Sequence, residues 1–375
     1  MKRRTALLAP LPLLTGRAWG LERLPADLNE TVPRLATTWR VPGAAHVDDG
    51  YHAGVLALDW AGGRMRLQAD VALPSRAHGL LALPDGGFAV VANRPGRWLL
   101  RCDADGRIVA RHDIDAERPQ RSFNGHVEST PDGRWVLTVE TDIASGEGWI
   151  GVRDPQTLAR VAAFPSHGLD PHHLSFDATG ALVVVNGGIP RDAAGRKVEL
   201  DRMAPSLVRL EAGNGRLLGR WQLPDPRLSL RHLAWAHGPA PLLGLALQAE
   251  HDDAADREQA PLLAVWDGRT MTVPSRDASG GGYAGDIAAA PGGGFVLSAQ
   301  KRRLGLWWHP GRPSEMTRVA ELTEPCAMVD TADAAGVHIG AGRGVARWHA
   351  RLAPQMLPWP MALAPDNHAV RLVEA

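Results

Sequence analysis

Residues 77–93 read Ala77-His78-Gly79-Leu80-Leu81-Ala82-Leu83-Pro84-Asp85-Gly86-Gly87-Phe88-Ala89-Val90-Val91-Ala92-Asn93. A short apolar run, a Pro-Asp-Gly turn and a second β-rich run form a hairpin signal. The pattern returns as Gly125-His126-Val127-Glu128-Ser129-Thr130-Pro131-Asp132-Gly133, followed by Trp135 to Glu140. It returns again from His172-His173-Leu174 through Gly180 to Asn186. Further copies start at Arg231-His232-Leu233, Gly285-Asp286-Ile287, the weaker Pro325-Cys326-Ala327 and Asp366-Asn367-His368. Counted from residues 78, 126, 173, 232, 286, 326 and 368, the starts lie 40 to 59 residues apart. Two more β-rich runs follow most hairpins, and no helix-period stretch competes. Four strands per period of this length describe a β-propeller.

Seven first strands imply an all-β, seven-bladed β-propeller. The last copy breaks off at Ala375, while Arg34 to Arg40, Gly54 to Trp60 and Met65 to Leu73 read as three strands lacking a first one. Pairing the C-terminal strand with these N-terminal strands closes the ring and removes its open edges.

Upstream, Met1-Lys2-Arg3-Arg4, an apolar run from Thr5 to Thr15 and the small residues around Ala18-Trp19-Gly20 follow the layout of a secretory signal. The paired arginines point to the twin-arginine route. Residues 1–20 are therefore expected to be an export signal and 21–375 a single periplasmic propeller domain, monomeric and without a membrane span. Composition narrows the function. Lys plus Arg and Asp plus Glu each number 41, so there is no basic excess to bind nucleic acid by counterion release. Two cysteines are too few for a disulfide scaffold or a four-Cys zinc site, and Cys102 and Cys326 fall in different blades. Cys326 reads equally as a free thiol, a ligand or an apolar filler.

Fifteen histidines stand against seven Phe and Tyr together. In a propeller the first strand of each blade lines the central channel. His78, His126, His173, His232 and His368 begin such strands, with Asp286 and Cys326 in the other two blades. His126, His173 and Asp286 each precede a turn glycine by seven residues, while His78 is one residue out of that register. Second strands return to the same face, which places Asn93, Glu140, Asp142, Asn186, Gln248 and Gln300 beside the ring. His172, Arg231 and Asn367 flank it, and the long loops 46–52, 143–148, 189–205 and 250–260 cover it.

Such a ring suits a divalent transition metal, since neutral imidazole ligates zinc, copper, iron and nickel. A carboxylate such as Asp286 or Glu140 would harden the site toward iron or manganese. His126, His173 and His232, from consecutive blades, form the best trio, with His78, His368 and Asp286 as further ligands. Two other readings stay open: an anion or small-ligand pocket without metal, and histidines that bond waters or pin one inner strand to the next blade. No Gly-x-Ser-x-Gly elbow or His-Glu-x-x-His helix is present. Asn186-Gly187-Gly188 leads into no helix, so a phosphate cradle is excluded. The segment from Arg191 to Met203 reads as a solvated loop or a short lid.

A wider set of motifs carries a resemblance. It comprises Arg76-x-His78-Gly79, Gly125-His126, Glu140-Thr141-Asp142, His167-Gly168-x-x-Pro171-His172, Asn186-Gly187-Gly188-Ile189, Met203-x-Pro205-Ser206-Leu207, Leu228 to Ala234, Gly285-Asp286 and Asp366-Asn367-His368. Together these resemble an uncharacterised family of exported bacterial proteins described only as a domain of unknown function. The resemblance implies a periplasmic seven-bladed propeller. It also implies genes beside those of imelysin-like iron-uptake proteins and di-haem, peroxidase-like oxidoreductases, hence iron-linked physiology and imelysin-like or haem-bearing partners. It implies no catalytic residues. The expected role is non-enzymatic metal or metal-partner binding. The alternatives are a metal-dependent lactonase, lyase or hydrolase using Glu140 or Asp142 as base, and an interaction scaffold.

Overall fold

Seven four-stranded antiparallel sheets make up the computed structural model, which describes residues 32–43, 49–118, 120–238 and 241–373. Blade 1 runs from Ala77 to Asp113, blade 2 from Arg121 to Leu169 and blade 3 from Pro171 to Trp221. Blade 4 spans Leu228 to Thr272, blade 5 Ile287 to Glu321 and blade 6 Met328 to Pro358. Blade 7 takes its first strand, Ala364–Arg371, from the C-terminus and its other three, Arg34–Arg40, Tyr51–Asp59 and Arg64–Ala72, from the N-terminal region. Leu35 pairs with Arg371 and Arg40 with Ala364, so the ring closes by strand pairing as the sequence implies. The proposed export segment, 1–20, lies outside the described residues, as does His46. No helix among the described residues is long and apolar enough to cross a membrane. Among the described residues the one α-helix, Ala254–Gln259, sits in the loop 250–260 and is capped by Asp253.

The hairpin turns work as their residues dictate. In blade 1, Gly86 takes φ +78°, Asp85 accepts the Gly87 amide at 3.1 Å, and Leu83 N–H reaches Gly87 C=O at 2.9 Å. The second strands are mostly apolar, and Phe88–Ala92 wholly so, because a neighbouring blade covers each face. The outermost strand of the same blade, Ile108–Asp113, has no such cover and stays largely exposed. The core divides into seven clusters, one at each blade seam. Leu81, Leu83, Ala89 and Val91 of blade 1 pack on Phe123, Val127 and Val136 of blade 2. Val329, Val345 and Leu357 of blade 6 pack on Leu35, Leu56 and Leu58 of blade 7. Each such side chain, fully buried, contributes about 1.5–3 kcal/mol of transfer free energy.

Candidate metal centre

Five inner strands carry an irregularity at their histidine. In blade 1, Ala77 pairs with Ala92 and Leu80 with Val90, so one extra residue bulges out around His78. In blade 3 the extra residue between Pro171 and His173 is His172. In blade 4 the register slips between Leu230 and Leu233, around His232. Blades 2 and 7 each bulge by two residues, over 123–127 and 365–369, around His126 and His368. A bulge breaks the alternation of a strand and re-aims a side chain. Here the five bulges turn His78, His126, His172, His232 and His368 onto one another.

Side-chain nitrogens of His78, His126, His232 and His368 all lie within 4.8 Å of one another, and all four residues are buried. His172 completes the group, its Nε2 lying 3.3 Å from His232 Nε2. Close approach of blades 1 and 2 requires glycine. A Cβ on Gly79 would fall 2.4 Å from Gly125 O, and one on Gly125, at φ +100°, 2.7 Å from His78 Cδ2. Gly125→Ala is expected to lower stability by about 1–3 kcal/mol, read as a shifted urea midpoint; an unchanged midpoint would show that the seam relaxes freely.

Burial pushes the imidazoles of His78, His126, His172 and His232 well below the ordinary histidine range, with repulsion from neighbouring histidines and arginines adding to it. They are neutral at pH 7, the form that ligates metal. Both nitrogens of His78, Nε2 of His126, Nδ1 of His232 and Nε2 of His368 have no protein partner. A buried polar atom left so costs about 1–3 kcal/mol, and these five belong to the four histidines that crowd together.

Around this ring sits a charged layer. Asp170, held in the left-handed region at φ +52°, accepts from Arg231 Nη1 at 2.8 Å, from Arg191 Nε at 3.0 Å and from Arg94. These guanidiniums hold its carboxyl well below the usual range despite burial. Arg94 also meets His172 Nδ1. Because arginine only donates, His172 Nδ1 must accept, its proton sits on Nε2, and that proton points to His232. On the far side Arg76 makes a bidentate pair with Asp366, both bonds 2.8 Å.

Two expected ligands are placed differently. His173 turns away: its Nδ1 accepts the Leu233 amide at 3.2 Å, and its ring stacks on His126 at 4.3 Å. Burial pushes it down to about 3. It pins blade 3 to blade 4, and His172 takes the inward position. Asp286 likewise accepts the Ile287 and Met328 amides, both at 2.9 Å, and lies 3.4 Å from His368 Nδ1. It orients His368, leaving Nε2 aimed inward, in the manner of carboxylates behind metal-bound histidines.

The rim residues lie near the starts of the inner strands, but most are already engaged. Glu140 is fully buried, 2.8 Å from Arg153, and Asp142 caps the turn at Ala144 and Ser145, so neither is free to act as the expected base. Asn186 bonds Ser166, and Gln248 reaches Ala284 O at 3.3 Å. Gln300 donates to Asn367 at 3.1 Å, and Asn93 makes only a 3.5 Å contact with Arg94 O. Arg231 belongs to the Asp170 node. Cys102 and Cys326 are free and buried, and burial pushes both thiols up to about 12. The segment after Ile189 is largely exposed, as a solvated loop is, but its Arg191 is drawn inward onto Asp170. Sequence reasoning passed over Asp170, Arg94 and Arg191. The pairing of Arg76 with Asp366 had a signal, because each stands two residues before its histidine.

The model of the family described as "Protein of unknown function (DUF1513)" matches residues 71–372, and the chain belongs to that family. No curated protein sequence matches it. Among solved structures it is similar to a virginiamycin B lyase from Staphylococcus aureus, at 12% identity and TM-score 0.55, over 78% of this chain and 93% of that one. A streptogramin B lyase matches at 11% identity and TM-score 0.56, over 88% of each chain. Kuenenia stuttgartiensis hydrazine synthase matches at 11% and 0.58, over 81% of this chain and 94% of that one. Likeness at this identity concerns the propeller fold alone.

Proposed function

We propose that this member of the DUF1513 family is an exported, periplasmic propeller that holds a divalent transition metal at the histidine-lined end of its channel. The observation carrying this reading is the convergence of His78, His126, His232 and His368, buried, within 4.8 Å, and with inward nitrogens lacking protein partners. Donor chemistry narrows the ion. With Asp286 spent on amides, the near ligands are all imidazole, which favours copper, zinc, iron or nickel over manganese. Iron gains weight from the iron-linked setting that the family resemblance implies, and an imelysin-like or haem-bearing protein is then the partner to test first. A tetrahedral ion bound at about 2.0–2.1 Å needs donors roughly 3.4 Å apart, a contraction of up to about 1.4 Å from the present spread of 4.8 Å. The enzymatic alternative has lost its named bases, Glu140 and Asp142, to other bonds.

Elemental analysis of protein purified from periplasm tests the reading, together with titration of the chelator-stripped protein with iron(II), copper(II) and zinc(II). The expected result is close to one ion per chain, a raised melting temperature and at least about 100-fold weaker binding in His78→Ala/His126→Ala. Metal at background level, with a melting temperature indifferent to all three ions, would end the proposal.

A further inference from the structure

Charge does not balance around Asp170. Three guanidiniums, Arg94, Arg191 and Arg231, converge on this one carboxylate, which is 3% exposed. The other acids near the ring are committed, Asp366 to Arg76 and Asp286 to two backbone amides. Arg231 Nε is buried without a protein partner. Desolvating a cation costs several kcal/mol unless an anion meets it, so the node is one negative ligand short at the least. Beside it opens a small pocket lined by Arg94, Arg191, Asp192, Ser122, Asn124 and Thr141 among others. Two arginines and two hydroxyls in one lining suit an oxyanion, which guanidinium forks bind in plane, and the Asp192 carboxylate there is paired with Arg196. Arg94 is shared: it lines this pocket and also reaches His172 of the histidine group.

We propose that this pocket binds a small, multiply charged oxyanion ligand on Arg94 and Arg191, next to the histidine centre. Two sources share that chemistry, inorganic phosphate and a polycarboxylate metal chelator such as citrate. The anion site stands on its own geometry, and only the chelator source rests on the metal reading above. A metal delivered as its anionic chelate would bring the missing negative charge with it.

The test is calorimetry and thermal shift on chelator-stripped full-length protein, with phosphate, citrate and chloride as probes at physiological ionic strength. The expected result is saturable binding of citrate, phosphate or both over chloride, weakened tenfold or more in Arg191→Gln. Arg191 sits on the loop 189–205, so this variant should fold, and an unchanged urea midpoint verifies it. Citrate preferred over phosphate identifies the chelator source; the reverse identifies inorganic phosphate. His78→Ala/His126→Ala should keep the anion affinity while losing metal, which separates failure of this proposal from failure of the metal reading. No anion binding in the wild type, or equal binding in Arg191→Gln, overturns it.

Discussion

Asp170→Asn should lower stability at pH 7 by about 3–5 kcal/mol, the range found when one partner of a buried ion pair is removed. The amide keeps the shape of the carboxyl and removes only its charge. Three guanidiniums then face one another across a buried node with no carboxylate among them. The backbone adds to the constraint: Asp170 O accepts the Gly187 amide at 2.8 Å, and a Cβ on Gly187 would fall 2.7 Å from Arg231 Nη1. The arginines therefore have little room to part. Arg191→Gln makes the contrast, because it removes one of three like charges and leaves Asp170 two partners. Its cost should stay within about 1 kcal/mol. The measurement is the urea midpoint at constant m. If the two variants cost the same, Asp170 is not the keystone of the node and the charge count above is misread. Phosphate or citrate should also stabilise Asp170→Asn more than wild type, since an added anion replaces the lost one.

The repeat was legible because blade physics is repetitive. A second strand covered on both faces is mostly apolar, and a tight turn needs Pro, Asp or Gly, so Phe88–Ala92 and Pro84-Asp85-Gly86 announce themselves. The histidine ring was legible as a column for the same reason. Its membership was not. Counting seven residues back from Gly180 lands on His173, and the bulge between Pro171 and His173 hands the inward position to His172 instead. A one-residue bulge leaves no mark in composition or periodicity, since it shows only in which partner each residue pairs with. His78, one residue out of register in the sequence, was the single visible trace of such bulges. Asp170 was hidden differently. Its partners lie 76, 21 and 61 residues away: the first hairpin of blade 3 brings Arg191 to it, and packing of the blades around the channel brings Arg94 and Arg231. Glu140 shows the converse. It was expected beside the ring as a base, but its partner Arg153, on the next strand of the same blade, takes its charge.

Acid should destabilise the metal-free protein steeply below pH 6.5. His173 is pushed down to about 3 by burial, and His78, His126, His172 and His232 are also held well below their ordinary value. In the unfolded chain each titrates near 6.5, so below that pH the unfolded state binds more protons than the folded one, and stability falls with pH. For His173 the loss between pH 7 and pH 5 is about 2 kcal/mol. His78, His126, His172 and His232 act in the same direction. One group works against them. Burial pushes Glu128 up to about 7, so its folded form keeps a proton that the unfolded form releases above about 4.5. It therefore gains stability as pH falls from 7 toward 4.5, by about 3 kcal/mol, and offsets one or two histidines. Five imidazoles stand against this one carboxyl, so a net loss remains. Urea midpoints taken every half unit from pH 7.5 to 5 should fall below pH 6.5, and His78→Ala/His126→Ala should flatten that slope, since two of the five buried imidazoles are then gone. Bound metal should raise the curve at pH 7 and lose its effect on acidification, because protons compete for the same nitrogens. A flat profile, or one that the double variant leaves unchanged, would mean that the ring takes up protons without opening the fold, and the neutral-imidazole premise of the metal site would fall with it.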